Sequence, residues 1–392
     1  MKVTHLNTYT EGGAAEAALR LHCALLNGGI ESKFLALYKG RCELNKVYDF
    51  RTELNKINYW FTKFKNKAHT LASASISKAS GEWYSDLNTV WKAEQHSLVK
   101  AADIVHLHWI SNYVNLPTFL AQNKKIVFTL HDHFLFSGGF HYPPPKKGIV
   151  PEKTLEKQKQ IIKNLLSENP INIVCPSEHL KNLAQDSGIL SQCSFTVIKN
   201  PVDTEIFKPQ DKTACRKILN VPADKKVLFF LSDYLNYERK GFSVLEKALS
   251  QLNEEVTLIV AGRGKIPENI GMAHIKHFGL VRDKTLLNNI YGACDVLVNP
   301  SLNDISSNTV IEAMACGRPA IAFHSGGIPE LITEVNGLIA NDKTPEALAS
   351  VINNALKKDF DAVAIRNKAI QEHSLNLIAA KYIELYRKVA GK

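Results

Sequence analysis

Two carboxylates in the stretch PSLNDISSNTVIEAMACGRPAIAF, residues 300–323, stand eight positions apart with seven uncharged residues between them: Asp304 and Glu312. Glu312 is flanked by Ile311, Ala313 and Met314, and a carboxylate among apolar neighbours costs free energy unless it is partnered. A ribose diol offers two hydroxyl donors and is a suitable partner. Asp304, in the preceding loop, could take hydroxyls of a second sugar. Ser306, Ser307 and Asn308 lie where a helix would begin, as candidate caps beside free N–H groups. The competing reading is two unrelated acids, one exposed and one capping.

Cations follow the same logic. In YERKGFSVLEKAL, Arg239 and Lys240 precede Gly241 at the expected start of a helix. The helix dipole disfavours positive charge at that end, and a bound phosphate would relieve the conflict. AGRGK sets Arg263 between two glycines at the end of an apolar run. TEGGAAEAA puts Gly12 and Gly13 in a turn that opens a helix, where backbone N–H groups approach a phosphate or a sugar. His106 and His108 share one face of an expected strand, and His131 and His133 follow the next. Four histidines could hold a metal ion. No carboxylates or cysteines of ligand-like spacing accompany them, so no metal is expected. Asp359 and Asp361 in KDFDA form an Asp-x-Asp, but they fall at an expected helix start and read as caps.

The 392 residues suggest two domains. The 45% hydrophobic and 22% charged composition is that of a globular protein. No apolar run approaches the roughly 20 residues of a membrane span, and the start, MKVTHLNTYTEGG, reads as a first strand rather than a signal peptide. Seven cysteines with no C-x-x-C fit reduced thiols in the cytoplasm, with Cys23, Cys294 and Cys316 buried. The net charge of +10 is uneven: +8 falls in residues 1–200 and +2 in the remainder. That asymmetry suggests an anionic partner on the N-terminal side. Zinc-finger spacing and aromatic RNA-binding signatures are absent, so nucleic acid is not expected.

These residues need elements to position them. Apolar runs such as KVTHLNT, KFLALY, DIVHLHW, KIVFTLHD, NIVCPS, KVLFFLS, VTLIVAG, HIKHFG, DVLVNPS and PAIAF alternate with helical periods. Continuous apolar strands between helices predict parallel sheets covered on both faces. The pattern occurs twice, implying an α/β chain of two doubly wound, Rossmann-like domains, 1–200 and 201–373. VIKNPVDTEIFKPQDK marks the break, and the last helix, about 374–392, could pack on either domain. In such sheets ligands bind beyond the carboxyl ends of the strands. Gly12-Gly13, His131-Asp132, Lys240, Arg263 and the Asp304/Glu312 segment all lie there.

From Asp304 to Gly317 and on through RPAIAFHSGGIPELI, the chain resembles the donor-site signature of glycosyltransferase family 4. GGAAEAA, DIVHLHWI, TLHDHFLFSGGFHY, RKGFSVLEKAL and IAAKYIELYRKV extend the resemblance to nearly the whole chain, nearest to the capsule and exopolysaccharide branch. The resemblance implies a GT-B fold and two domains facing a cleft. It implies retaining transfer of a sugar from a nucleoside diphosphate to a glycan or lipid-linked acceptor in cell-surface polysaccharide synthesis, without metal or other cofactor. It assigns ribose to Glu312, the transferred sugar to Asp304, and the diphosphate to Lys240. Gly13 would approach the phosphates, His131 would face the sugar at the reaction centre, and Ser306, Ser307 and Asn308 would contact sugar hydroxyls. Asp304 stands where the family usually has Glu. Leu235 stands where a phosphate-binding Arg is common, leaving Arg239 or Arg263 as the second cation.

KINYWFTKFKNK, residues 56–67, interleaves Lys56, Lys63, Lys65 and Lys67 with Tyr59, Trp60, Phe61 and Phe64. It reads either as an interfacial helix touching an anionic membrane on its cytoplasmic face or as an aromatic core stripe. Two rival functions remain: a non-catalytic module that binds sugar nucleotides, and a metal-dependent hydrolase built on the histidines.

Overall fold

A computed structural model describes residues 1–54 and 56–391; the side chains of Lys56 and Asn58 lie outside the description. The chain forms two compact units, Met1–Lys199 with Ile378–Lys392, and Asn200–Leu377.

The strands of the first unit are β1 (Lys2–Tyr9), β2 (Glu31–Tyr38), β3 (Val47–Asp49), β4 (Ile104–Leu107), β5 (Ile126–Thr129), β6 (Asn172–Cys175) and β7 (Ser194–Val197). All pair in parallel in the order β3-β2-β1-β4-β5-β6-β7. The helices are α1 (Gly13–Asn27), α2 (Lys56–Ser80), α3 (Ser97–Lys100), α4 (Leu116–Leu120), α5 (Glu152–Glu168) and α6 (Glu178–Asp186). Every residue of β4 and β5 is buried, as the unbroken apolar runs predict for strands covered on both faces.

The second unit repeats the plan. Its strands are β8 (Lys226–Tyr234), β9 (Val256–Arg263), β10 (Asn269–Ile270), β11 (Ala273–His277), β12 (Val296–Asn299), β13 (Ala320–Phe323) and β14 (Gly337–Ala340). Their order is β10-β11-β9-β8-β12-β13-β14, with only β10 antiparallel. The helices are α7 (Lys212–Leu219), α8 (Phe242–Leu249), α9 (Lys284–Ala293), α10 (Asn308–Ala315), α11 (Pro345–Lys357) and α12 (Ala362–His373). Asp361 accepts hydrogen bonds from the Val363 and Ala364 N–H groups at the start of α12, so KDFDA is a cap. Helix α13 (Leu375–Ala390) crosses into the first unit, where the Tyr386 and Tyr382 hydroxyls meet His106 and Thr129 at 2.7 and 2.9 Å.

All ten expected strands form. β3, β7, β10 and β14 were not anticipated: they lie at the sheet edges and are buried only in part, so the first three write no continuous apolar run and β14 writes only GLIA. In both sheets the chain reverses direction of travel at one point, between β1 and β4 and between β8 and β12. Those switch points open a crevice at the strands' carboxyl ends. The seven cysteines are free, and Cys23 is only half-buried, contrary to expectation. No helix among the described residues is long and apolar enough to cross a membrane.

Candidate functional site

In the second unit, the loops after β8 and β12 meet. After β8 a 3₁₀ turn, Glu238–Lys240, leads to Gly241, which caps α8 in the left-handed region at φ 70°. A Cβ there would lie 1.9 Å from the Pro300 carbonyl oxygen, so only glycine lets the two loops approach this closely. Lys240 Nζ donates to Asp304 Oδ2 at 2.9 Å, and Arg239 Nη1 donates to the Asn303 carbonyl at 3.2 Å. Gly326, also left-handed, fits against the Asp304 carbonyl, which its own Cβ would approach to 1.9 Å. Burial pushes the Asp304 carboxyl up, but the Lys240 and Arg239 charges and hydrogen bonds from Lys240 and Ser301 outweigh it, holding Asp304 below the ordinary carboxylate range. The resemblance places Lys240 on phosphate and Asp304 on a sugar; in the structure they hold each other. The conflict between two cations and a helix start is thus answered internally by a carboxylate.

Glu312 is 4% exposed in the middle of α10, and Tyr291 of α9 donates its hydroxyl to Oε2 at 2.8 Å. The buried carboxylate therefore has a protein partner that sequence reasoning missed; an isolated tyrosine in an apolar helix gave no signal. Ser307 is the residue ahead of α10 but makes no side-chain cap. Its hydroxyl instead accepts from Asn299 Nδ2 at 2.7 Å and meets Thr309 Oγ1 at 2.9 Å. Ser306 Oγ is buried without a partner, and Asn308 Oδ1 accepts from Asn200 at 3.1 Å. Arg263, at the end of β9, stacks over the Tyr234 ring 4.8 Å from its centroid and donates to the Tyr234 hydroxyl. Between the two candidate cations, it is Arg239 whose charge acts on Asp304.

In the first unit, Gly12 (φ 94°) precedes α1, and Gly13 is exposed at its first turn. β4 and β5 release His108 and His131 side by side, with His108 Nδ1 3.2 Å from His131 Nε2. Burial draws the His131 pKa down to about 4 against the opposing Asp132 charge. Asp132 Oδ2 contacts His141 Nδ1 at 2.5 Å, and His141 Nε2 contacts Ser85 Oγ at 2.8 Å. This is the layout of a nucleophilic triad. Ser85 has no exposed surface, so no substrate reaches it, and the network serves to pin the loop beside His131. Burial would raise the Asp132 pKa, yet the His141 charge and hydrogen bond keep it below the usual range.

Of the four histidines that could hold a metal, His106, His108 and His131 lie together and His133 does not. His133 packs against the Phe136 and Tyr142 rings, and His5 of β1 joins His106 and His108 instead. His106 spends its two nitrogens on Tyr386 and Thr129, and its ring lies 4.0 Å from that of His108, tilted by 36°. One ligand atom from each of His5, His106 and His108 lies within 4.8 Å of the others, but both His106 nitrogens are already engaged by Tyr386 and Thr129.

The family pattern described as Glycosyltransferase Family 4 matches residues 11–206, and that described as Glycosyl transferases group 1 matches residues 225–358. The chain belongs to glycosyltransferase family 4. A D-inositol 3-phosphate glycosyltransferase of Xylanimonas cellulosilytica is 27% identical over 291 residues, covering 69% of this chain and 67% of its own. A second, of Corynebacterium urealyticum, is 26% identical over 326 residues, with 75% and 73% covered. The structure of Anabaena HepE in complex with UDP-glucose superposes with a TM-score of 0.69 at 19% identity, covering 99% of this chain and all of that one. Sucrose-phosphate synthase from Thermosynechococcus elongatus gives 0.70 at 18%, with 99% of each chain covered. The architecture of this family-4 glycosyltransferase is GT-B.

Proposed function

We propose that the enzyme transfers a sugar, with retention of anomeric configuration, from a nucleoside diphosphate to a glycan or lipid-linked acceptor in cell-surface polysaccharide synthesis. The Lys240–Asp304 pair, 2.9 Å apart at the switch point of the second unit, carries the reading. A diphosphate entering there takes over the Lys240 ammonium, which frees the Asp304 carboxylate to accept sugar hydroxyls. Lys240 and Arg239 then stabilise charge on the departing diphosphate, a task that requires no metal when cations are already oriented. Glu312 holds ribose through its carboxylate, and His131 acts at the sugar.

A ring platform supports a glycan acceptor. Tyr9, at the end of β1, lies 5.4 Å from Tyr38 and 5.8 Å from Trp109, and Trp109 lies 5.4 Å from Trp83. Tyr9 and Trp83 are both more than a third exposed, and such faces suit the apolar side of a sugar ring. The relatives' names favour one alternative acceptor, an inositol phosphate, which the basic N-terminal half also suits. Calorimetric titration with UDP-, GDP- and ADP-sugars, followed by turnover with each acceptor class, tests the proposal. Saturable binding of one donor with transfer is expected. Binding without any turnover favours a non-catalytic module, and the absence of binding to every donor overturns the reading.

A further inference from the structure

His5, His108 and His131 form a file of three rings running from the core of the first unit to its candidate site. His5 Nδ1 lies 3.0 Å from His108 Nε2, and His108 Nδ1 lies 3.2 Å from His131 Nε2. His5 is fully buried, His108 is 2% exposed, and His131 is half-buried. The outer nitrogens are His5 Nε2, which is buried with no hydrogen-bond partner, and His131 Nδ1. Rings surround His5: Phe34 stacks at 6.2 Å, with His22 and His106 at 5.9 and 5.0 Å. Burial holds all three histidines below their ordinary pKa, reinforced at His5 and His108 by the neighbouring histidines and opposed at His131 by Asp132, so each is neutral and carries one ring proton.

Three neutral rings joined by two hydrogen bonds have only two arrangements. In one, every proton points inward and the file ends in an N–H on His5 Nε2, buried with no acceptor. In the other, every proton points outward: His5 Nδ1–H donates to His108, His108 Nδ1–H donates to His131, and the file ends in an N–H on His131 Nδ1. His5 Nε2 is unpaired in either case, and an orphaned buried N–H is rarer in native proteins than an under-satisfied acceptor, which favours the second. We infer that His5 and His108 are positioning residues that lock His131 in its Nδ1–H tautomer, so that it meets its ligand as a neutral hydrogen-bond donor with no lone pair on offer. The role of His131 in turnover rests on the proposed function; the tautomer does not. A neutral donor aimed at a sugar hydroxyl or leaving-group oxygen orients and stabilises, whereas it cannot abstract a proton.

The test has a spectroscopic and a kinetic arm. Long-range ¹H–¹⁵N correlation on ¹⁵N-histidine protein at pH 7, with the His131 signals assigned by loss in His131→Asn, reports the protonated nitrogen directly. The Nδ1–H form is expected in the wild type, shifting towards Nε2–H in His5→Leu and His108→Leu. Turnover in the leucine variants should fall about 10–100-fold, the range for one oriented hydrogen bond to a charged centre, with donor affinity held within about threefold. His108→Asn, whose amide can donate from the Nδ1 position, should recover most of that loss and keeps the test open if His108→Leu misfolds. An Nε2–H tautomer in the wild type overturns the inference, as does an equal loss in His108→Asn and His108→Leu with the tautomer unmoved. Absence of donor binding in the presence of the expected tautomer would instead remove the proposed function and leave the ring file standing.

Discussion

At the residue scale, Glu312 has two partners to satisfy, and variants separate them. Glu312→Ala leaves the buried Tyr291 hydroxyl with its longer 3.3 Å bond to the Thr309 carbonyl, at a cost of about 1–2 kcal/mol in stability, and also removes the proposed ribose acceptor. Tyr291→Phe keeps the carboxylate and should lose stability while nucleotide affinity stays within a few-fold. Chemical denaturation and calorimetry on the same samples read both. Equal loss of affinity in the two variants would mean that Glu312 serves only Tyr291. The sequence pointed to a costly buried carboxylate but not to its partner, because a side chain 21 residues away carries no periodic signal. Asp304 and Lys240 were legible individually as strand-end charges. Their pairing depends on two loops meeting across the sheet, which no spacing reveals.

At the scale of elements, the glycines of those loops set how closely they approach. Gly241→Ala places a methyl 1.9 Å from the Pro300 carbonyl oxygen and should part Lys240 from Asp304, lowering thermal stability and donor affinity together. Gly279 is also left-handed, at φ 63°, but a Cβ there meets nothing within 4 Å. Gly279→Ala should lose only the conformational term, about 1–2 kcal/mol. Comparing thermal midpoints and donor Kd for the two variants checks the distinction; matching behaviour would deny the loop contact its role. The ten expected strands were legible because burial on both faces writes a continuous apolar run. The unanticipated edge strands were not, since at a sheet margin they are buried only in part and all but β14 mix polar with apolar residues. The basic aromatic segment had two readings, and the structure removes the second, an aromatic core stripe. On α2, Ile57, Trp60, Phe61 and Phe64 are 60% or more exposed, with Lys63 and Lys65 over the Trp60 and Phe61 rings at 4.7 and 4.3 Å. It is not a core stripe.

At the scale of the whole molecule, the buried histidines and the uneven charge each predict a bulk property. His5, His106 and His108 have native pKa values well below 6.5, chiefly because of burial, while the unfolded chain titrates near 6.5. Below that pH the unfolded state binds the extra protons, so stability falls with acidification, by up to about 1.4 kcal/mol per pH unit for each histidine kept neutral. Carboxylates with lowered values, Asp132 and Asp304 among them, contribute only below about pH 4. Urea unfolding between pH 7.5 and 5 should therefore show a midpoint that drops with an uptake of about three protons or more. A flat profile would place these histidines in contact with water. The exposed face of α2, with +8 of the net charge in residues 1–200, leads us to expect reversible binding to anionic vesicles that weakens as salt rises, since each basic residue near the surface contributes about 1 kcal/mol. Replacing Lys63, Lys65 and Lys67 with Glu should abolish co-sedimentation; equal recovery in the supernatant with and without vesicles at low salt contradicts it.

The central claim is retaining transfer from a nucleotide sugar organised by Lys240 and Asp304. It is tested most directly by following the anomeric proton of the first product by ¹H NMR, before mutarotation, with an α-linked donor that binds the enzyme. The account predicts that the α-anomer appears first with wild-type protein and that the signal disappears in Lys240→Ala. A β-anomer as the initial product, or undiminished turnover without the lysine, would contradict it.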